Sequence, residues 1–248
     1  MVLVLFLFFT YGIIIGSFLN VCICRIPLNQ NIAIGSSHCI RCNEKIKFYD
    51  LFPIVSYIFL RGRCRHCKEK ISIRYPLVEL MNGVLYMLVF QVYSFSTISF
   101  VICIFFSTLI VLAFIDLEYM LVPDILNIVI VILAIFAVFF EYKTLHEHLL
   151  GFIAVSVPMF LIVHLTKGFG IGDVFLYASA GLLLGYKLTI LSFVIACGCA
   201  TVFGLWLICI KGTSKKSKIP FVPFIAIGLI VATLYGESIL KWYIDLIL

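Results

Sequence analysis

The chain has 248 residues, of which 64% are hydrophobic and only 12% charged, with a net charge of +6. Soluble globular domains carry about 25% charged residues, so a soluble enzyme is excluded and a polytopic membrane protein is expected. The basic excess is confined to loops between apolar runs, which marks one face of a lipid bilayer and argues against nucleic acid as a partner.

A membrane-crossing helix needs about 20 mostly apolar residues. Eight runs meet or approach that length: 2–24, 76–95, 97–116, 123–141, 149–166, 173–187, 188–210 and 221–240. Only Gly185-Tyr186-Lys187 separates the sixth from the seventh. The first begins at Met1 with no basic stretch before it and no small-residue cleavage site after it, so it reads as a retained helix rather than a signal peptide. Ten of the 18 Lys and Arg residues fall between Arg25 and Arg74, and Lys211, Lys215, Lys216 and Lys218 lie between the last two runs. Basic loops stay in the cytoplasm. Alternation over eight helices then puts 15 basic residues inside and leaves Lys143, Lys187 and Lys241 outside, with both termini outside. The expected fold is all-α: about eight transmembrane helices with a small cytoplasmic zinc-binding insertion after the first. Residues 1–24 would be the first helix, 25–75 the insertion and 76–248 a seven-helix core.

The first run closes with Gly16-Ser-Phe-Leu-Asn20-Val21, where Asn20 suits either a hydrogen bond across a helix interface or a place in a site. The insertion carries Cys39-Ile-Arg-Cys42 and Cys64-Arg-His-Cys67, with 21 residues between the pairs. Two such knuckles turn four thiolates toward one tetrahedral metal, the pattern of a zinc ribbon. A reducing compartment disfavours disulfides, and metal binding would supply folding free energy to a segment with little core. His66 reads as a neighbour of the knuckle, and Cys22, Cys24, Cys103, Cys197, Cys199 and Cys209 as small apolar side chains.

Arg74-Tyr75-Pro76 leads back into the bilayer, with Pro76 suited to a first helical turn. Glu79, one turn further, fits either the positive helix end or a ligand for a cationic cofactor or a basic peptide. Asp116 closes the third run, at a helix C-terminus that disfavours negative charge, with nothing local to stabilise its anion. Asp124, after Pro123, fits a helix start, and Glu118 a solvated loop. His146 and His148 are placed in an outward solvated loop. Lys167-Gly168-Phe169-Gly170-Ile171-Gly172-Asp173 combines a backbone able to bend and to be approached closely with an acid that fits a helix cap or, with a second aspartate on the same membrane face, a carboxylate pair. Two prolines, Pro220 and Pro223, open the last run with irregular backbone, which membranes tolerate beside a cavity.

Taken together, Gly16 to Val21 with Arg25 and Pro27, the two cysteine pairs, Ser72-Ile-Arg-Tyr-Pro-Leu-Val-Glu79, Asp116 with Pro123-Asp124, Gly170-Ile-Gly-Asp173 and Ile219-Pro-Phe221 span nearly the whole chain. In this order of motifs the sequence resembles the bifunctional type IV prepilin peptidases (prepilin leader peptidase/N-methyltransferases) of the GxGD intramembrane aspartyl protease class. The resemblance implies a bacterial inner-membrane enzyme acting on prepilin or pseudopilin precursors. It implies Asp116 and Asp173 as the catalytic pair, with Asp124, Gly170 and Gly172 in support. Cys39, Cys42, Cys64 and Cys67 would hold structural Zn²⁺. Methylation of the new N-terminus would draw on S-adenosylmethionine, with Asn20, Arg74 and Glu79 as candidates for that site or for substrate. Two positions depart from the family pattern: Phe175 stands where Lys is usual, and Val222 where Gly is usual. The rival classes are a proton-coupled transporter, which would more often place its acids near the midplane, and a zinc-domain scaffold, which would tolerate neutral replacement of both aspartates.

Overall fold

The computed structural model describes residues 2–33, 37–39, 41–140, 145–166, 170–211 and 219–247. Lys143, Lys167, Gly168, Lys215, Lys216 and Lys218 lie outside the described residues. The described chain is helical, with no strand beyond two isolated bridges. It divides into two compact units, residues 1–111 and 112–248.

In the first unit, α1 (Val2–Arg25) lies antiparallel to α3 (Arg74–Tyr93), pairing Phe8 with Phe90, Gly12 with Gly83, Gly16 with Glu79 and Asn20 with Tyr75. Glycine makes this approach possible. A methyl on Gly16 would come within 2.6 Å of the Glu79 Cα, and one on Gly12 within 2.8 Å of the Gly83 Cα. Asn82 Nδ2 donates to the Gly12 carbonyl at 2.7 Å, and Ser107 Oγ donates to Asn82 Oδ1 at 2.9 Å, which ties in the first part of α4 (Thr97–Tyr119). Such interhelical bonds keep polar groups paired where water is scarce. Between α1 and α3 lies the insertion, with a single 3₁₀ turn at Phe48–Leu51, the five-residue α2 (Val55–Phe59) and the two cysteine knuckles.

The second unit takes the end of α4, then α5 (Asp124–Phe140), α6 (Leu145–Ala154), α7 (Ser156–Thr166), α8 (Ile171–Leu184), α9 (Tyr186–Lys211) and α10 (Val222–Ile247). α8 is its hub: it packs against α5, α6, α7, α9 and α10, and ten of its 14 residues are buried. An apolar helix covered on nearly every side belongs to a protein interior. The chain turns between α8 and α9 at Gly185, whose φ of +83° suits glycine. That single residue settles where the sixth and seventh apolar runs part. Among the described residues six helical stretches are long and apolar enough to cross a membrane, α6 and α7 counting as one, while Asp124–Phe139 and Ile171–Leu184 are apolar but shorter.

α6 meets α8 where Gly151 faces Gly181, and a methyl on either would overlap the other's backbone carbonyl. Gly181→Ala is therefore expected to lower stability by about 1–3 kcal/mol through overpacking. Gly198→Ala on α9, where nothing lies within 4 Å, should be neutral or slightly stabilising. Thermal unfolding of both variants in detergent checks the contrast.

Candidate functional site

Asp116 lies in the last turn of α4, one turn before its end at Tyr119, and is 6% exposed. Its Oδ2 accepts the backbone N–H of Val222 at 3.0 Å, and the carboxylate also takes the amide of Phe221. These belong to the first turn of α10, whose leading amides have no partner within the helix. Nothing local stabilises the Asp116 anion; the positive end of another helix, distant in sequence, does so. Flanking Pro220 and Pro223 supply no N–H of their own, which leaves the two amides between them to meet the carboxylate.

Asp173, also 6% exposed, occupies the third position of α8 rather than its cap. Gly170 is the cap residue, and Asp173 Oδ2 reaches back to accept its N–H at 3.0 Å. The charge of Asp116 acts on Asp173, so the two carboxylates share one electrostatic neighbourhood. Gly170 has an ordinary φ of −80°, and a methyl there would make only normal contact. Gly172 is the constrained one, since a methyl on it would come within 2.6 Å of Val122 Cβ. The glycine pattern therefore serves close approach at Gly172 more than bending. Asp124 opens α5 with an exposed side chain, and Glu118 is exposed.

His148 overturns its assignment to a solvated loop. It lies on α6, 1% exposed, with Nδ1 2.8 Å from the Leu182 carbonyl near the end of α8. The alternation of polar residues in 145–148 disguised a helix that starts at Leu145.

In the first unit, Cys39, Cys42, Cys64 and Cys67 bring their Sγ atoms within 4.8 Å of one another, and Cys39 and Cys67 are 3.8 Å apart. Four thiolates about 2.3 Å from a central Zn²⁺ would sit roughly 3.8 Å apart in a tetrahedron, so the cluster fits that metal. The knuckles are built alike. Cys39 N–H bonds to Glu44 O and Cys64 N–H to Glu69 O, while Asn43 and Lys68 take φ of +59° and +60° at the same place in each turn. The amides of Cys42 and Arg41 hold the Cys39 thiol down to about 6, favouring the thiolate that a metal binds. Arg65 clamps Asp50 through two bonds, Nε to Oδ2 at 2.8 Å and a terminal nitrogen to Oδ1 at 2.5 Å, joining the second knuckle to the 3₁₀ turn.

A third polar group lies where α1 meets α3. Asn20 Nδ2 donates to the carbonyls of Gly16 and Tyr75, leaving a buried Oδ1 with no partner. Arg74 donates to Cys24 Sγ at 3.0 Å. Glu79 is buried, but it does not cap α3. Its Oε2 accepts the Ile54 N–H at 2.7 Å. Ile54 is the centre of a γ-turn, with the Val55 N–H returning to the Pro53 carbonyl, and has φ +58° and ψ −50°. That conformation is strained for a β-branched residue, and Glu79 holds it in place. Nothing in the sequence around Ile54 signals this contact.

Two family models match the chain: that of the bacterial peptidase A24 N-terminal domain over residues 10–93, and that of the type IV leader peptidase family over residues 103–205. The first spans the cysteines, Arg74 and Glu79; the second spans Asp116, Asp124 and Asp173. A prepilin leader peptidase/N-methyltransferase of Bacillus subtilis (strain 168) is 33% identical over 242 residues, covering 97% of this chain and 98% of its own length. One from Aeromonas salmonicida (strain A449) is 30% identical over 274 residues, covering 98% and 94%. One from Pseudomonas aeruginosa is 27% identical over 264 residues, covering 94% and 91%. No solved structure matches the chain. With relatives this similar along its whole length and both halves matched in order, the chain belongs to the type IV leader peptidase family.

Proposed function

We propose that this protein removes the short basic leader of type IV prepilin or pseudopilin precursors at the cytoplasmic face of the bacterial inner membrane, and methylates the new N-terminus. The observation that carries the reading is the buried pair Asp116 and Asp173, brought together on α4 and α8 with their anions aimed at backbone amides. In the proposed reaction the ionised member takes a proton from water as the water oxygen attacks the scissile carbonyl. The protonated member hydrogen-bonds the carbonyl oxygen, and a proton passes to the amine as the C–N bond breaks. The amides of Phe221, Val222 and Gly170 orient the carboxylates without bringing a countercharge, so the exchangeable proton stays with the pair. Neither departure from the family pattern disturbs this arrangement. Phe175 is exposed on α8, and Val222 contributes an amide, which any residue except proline has.

The eight apolar stretches are proposed as eight spans, with the shorter α5 and α8 included. The bias of Lys and Arg supports a cytoplasmic insertion. Asn20, Glu79 and Arg74 fit S-adenosylmethionine by their chemistry: a free buried acceptor and a carboxylate suit its cationic groups, and a guanidinium suits its carboxylate. That donor, when bound, supplies the methyl group. The residues need only bind it and hold the amine in line, a matter of positioning.

The test is incubation of the purified protein with a prepilin, with and without S-adenosylmethionine, followed by mass measurement. The expected product lacks its leader in both cases and is one methyl group heavier only with the donor. An uncut precursor would refute the reading. Metal analysis should also give about one zinc per chain, as four ligands to one ion require. Unchanged zinc in a Cys39→Ser/Cys64→Ser protein would refute the metal assignment.

A further inference from the structure

Asn127 is 7% exposed, and neither its Nδ2 nor its Oδ1 has a hydrogen-bond partner. A carboxamide buried with both ends unused is costly, and in a native protein such a group calls for a reason. Its position supplies one. α5 packs on α8, and the buried residues of α5, Leu126, Asn127, Ile130, Leu133, Ala134 and Ala137, form one helical face. The two helices start from the same end, because Val122, just ahead of α5, abuts Gly172 in the first turn of α8. Asn127 is the fourth residue of α5 and Asp173 the third of α8, so both belong to the first turns at that end. Side chains on a helix lean toward its N-terminus, which inclines the Asn127 amide toward the end that carries Asp173.

We propose that Asn127 is a substrate-binding group of the aspartate site, its carboxamide pairing with the N–H and C=O of a peptide unit beside the scissile bond. The inference rests on the aspartate reading above. A peptide drawn extended into a dry site loses water from both its N–H and its C=O, and each must be paired again. A carboxamide offers one donor group and one acceptor on the same planar frame. A carboxylate offers only acceptors.

The experiment measures kcat, KM and Tm of the full chain in lipid nanodiscs with one prepilin, for wild type, Asn127→Leu, Asn127→Gln and Asp173→Asn. Asn127→Leu should lower kcat/KM by about tenfold to a hundredfold, the range for leaving a buried peptide group unpaired, with most of the loss in KM. Its Tm should stay level or rise, because an unpaired amide has been removed from the interior. Asn127→Gln, which keeps the carboxamide, should recover part of the loss. Wild-type kinetics in Asn127→Leu would overturn the proposal. So would a Tm that falls with activity, since that would make Asn127 part of the packing. A fall in kcat at unchanged KM would overturn it too, by assigning the amide to water rather than to substrate. Asp173→Asn checks the underlying reading separately: if it still cleaves, the site to which Asn127 is assigned does not exist.

Discussion

Asp116→Asn and Asp173→Asn should each reduce cleavage by about 10²–10⁴-fold, the usual contribution of a general acid or base, while the protein remains intact in the membrane. Asn keeps the shape of the side chain and can still meet a backbone amide, but it cannot take up and return a proton. The environment makes the loss diagnostic. Both carboxylates are 6% exposed, and each is oriented by main-chain N–H groups, so among the described residues no cation is positioned to take over. For the same reason the wild-type rate should pass through an optimum in pH. At low pH both carboxyls are protonated and no base remains; at high pH both are ionised and no acid remains. The two limbs belong to the pair rather than to either residue. A rate profile on purified protein checks the shape. Near-normal cleavage by Asp116→Asn would sink the pair and make Asp124 the next residue to replace.

The two activities should separate. Asp173→Asn is expected to methylate a pre-cleaved peptide at the wild-type rate, and Cys39→Ser/Cys64→Ser to lose methylation while leader cleavage continues. The asymmetry follows from what holds each region together. The second unit is a packed helical body around α8. The insertion has one 3₁₀ turn, a five-residue helix and two knuckles, and for such a segment the roughly 10–16 kcal/mol of structural zinc binding would be the dominant source of order. Without the proposed metal, the γ-turn at Ile54 would have no firm body behind it, and Glu79 would lose its fixed partner. Mass measurement of both products, with zinc content followed in parallel, decides the matter. Loss of both activities in a folded Asp173→Asn protein would mean that one site serves both reactions.

How much of this was legible in the sequence depends on distance along the chain. The apolar runs and the cysteine knuckles announce themselves within a few residues, because hydropathy and metal-ligand spacing are local properties. Glycine-rich Gly170 to Asp173 was legible as a place of close approach, but not which glycine is approached, since Val122 lies some 50 residues earlier. The partner of Asp116 is an amide 106 residues away. No local rule could supply it. Of the two readings open for Glu79, capping fails for the same reason, its partner being the amide of Ile54 in the insertion. His148 failed differently: His-Glu-His reads as a solvated stretch until the packing of α6 on α8 is known. Asn127, one polar residue in an apolar run, carries no signal at all before its surroundings are visible.

The brevity of α8 bears on where the proposed reaction would take place. At 1.5 Å per residue, its 14 residues extend only about 21 Å, against a hydrocarbon layer of about 30 Å. α9 follows after Gly185 alone and is long enough, at 26 residues, to cross the layer completely. With α8 as one of the proposed spans, its far end would be tethered to the start of a full-length span, and the shortfall would fall at the end bearing Asp173. On the proposed role of Asp173, the scissile bond would then be drawn several ångströms below the headgroups, and water would follow it through a local depression in the apolar slab. The depth of the proposed cut would be measured out by the length of one buried helix.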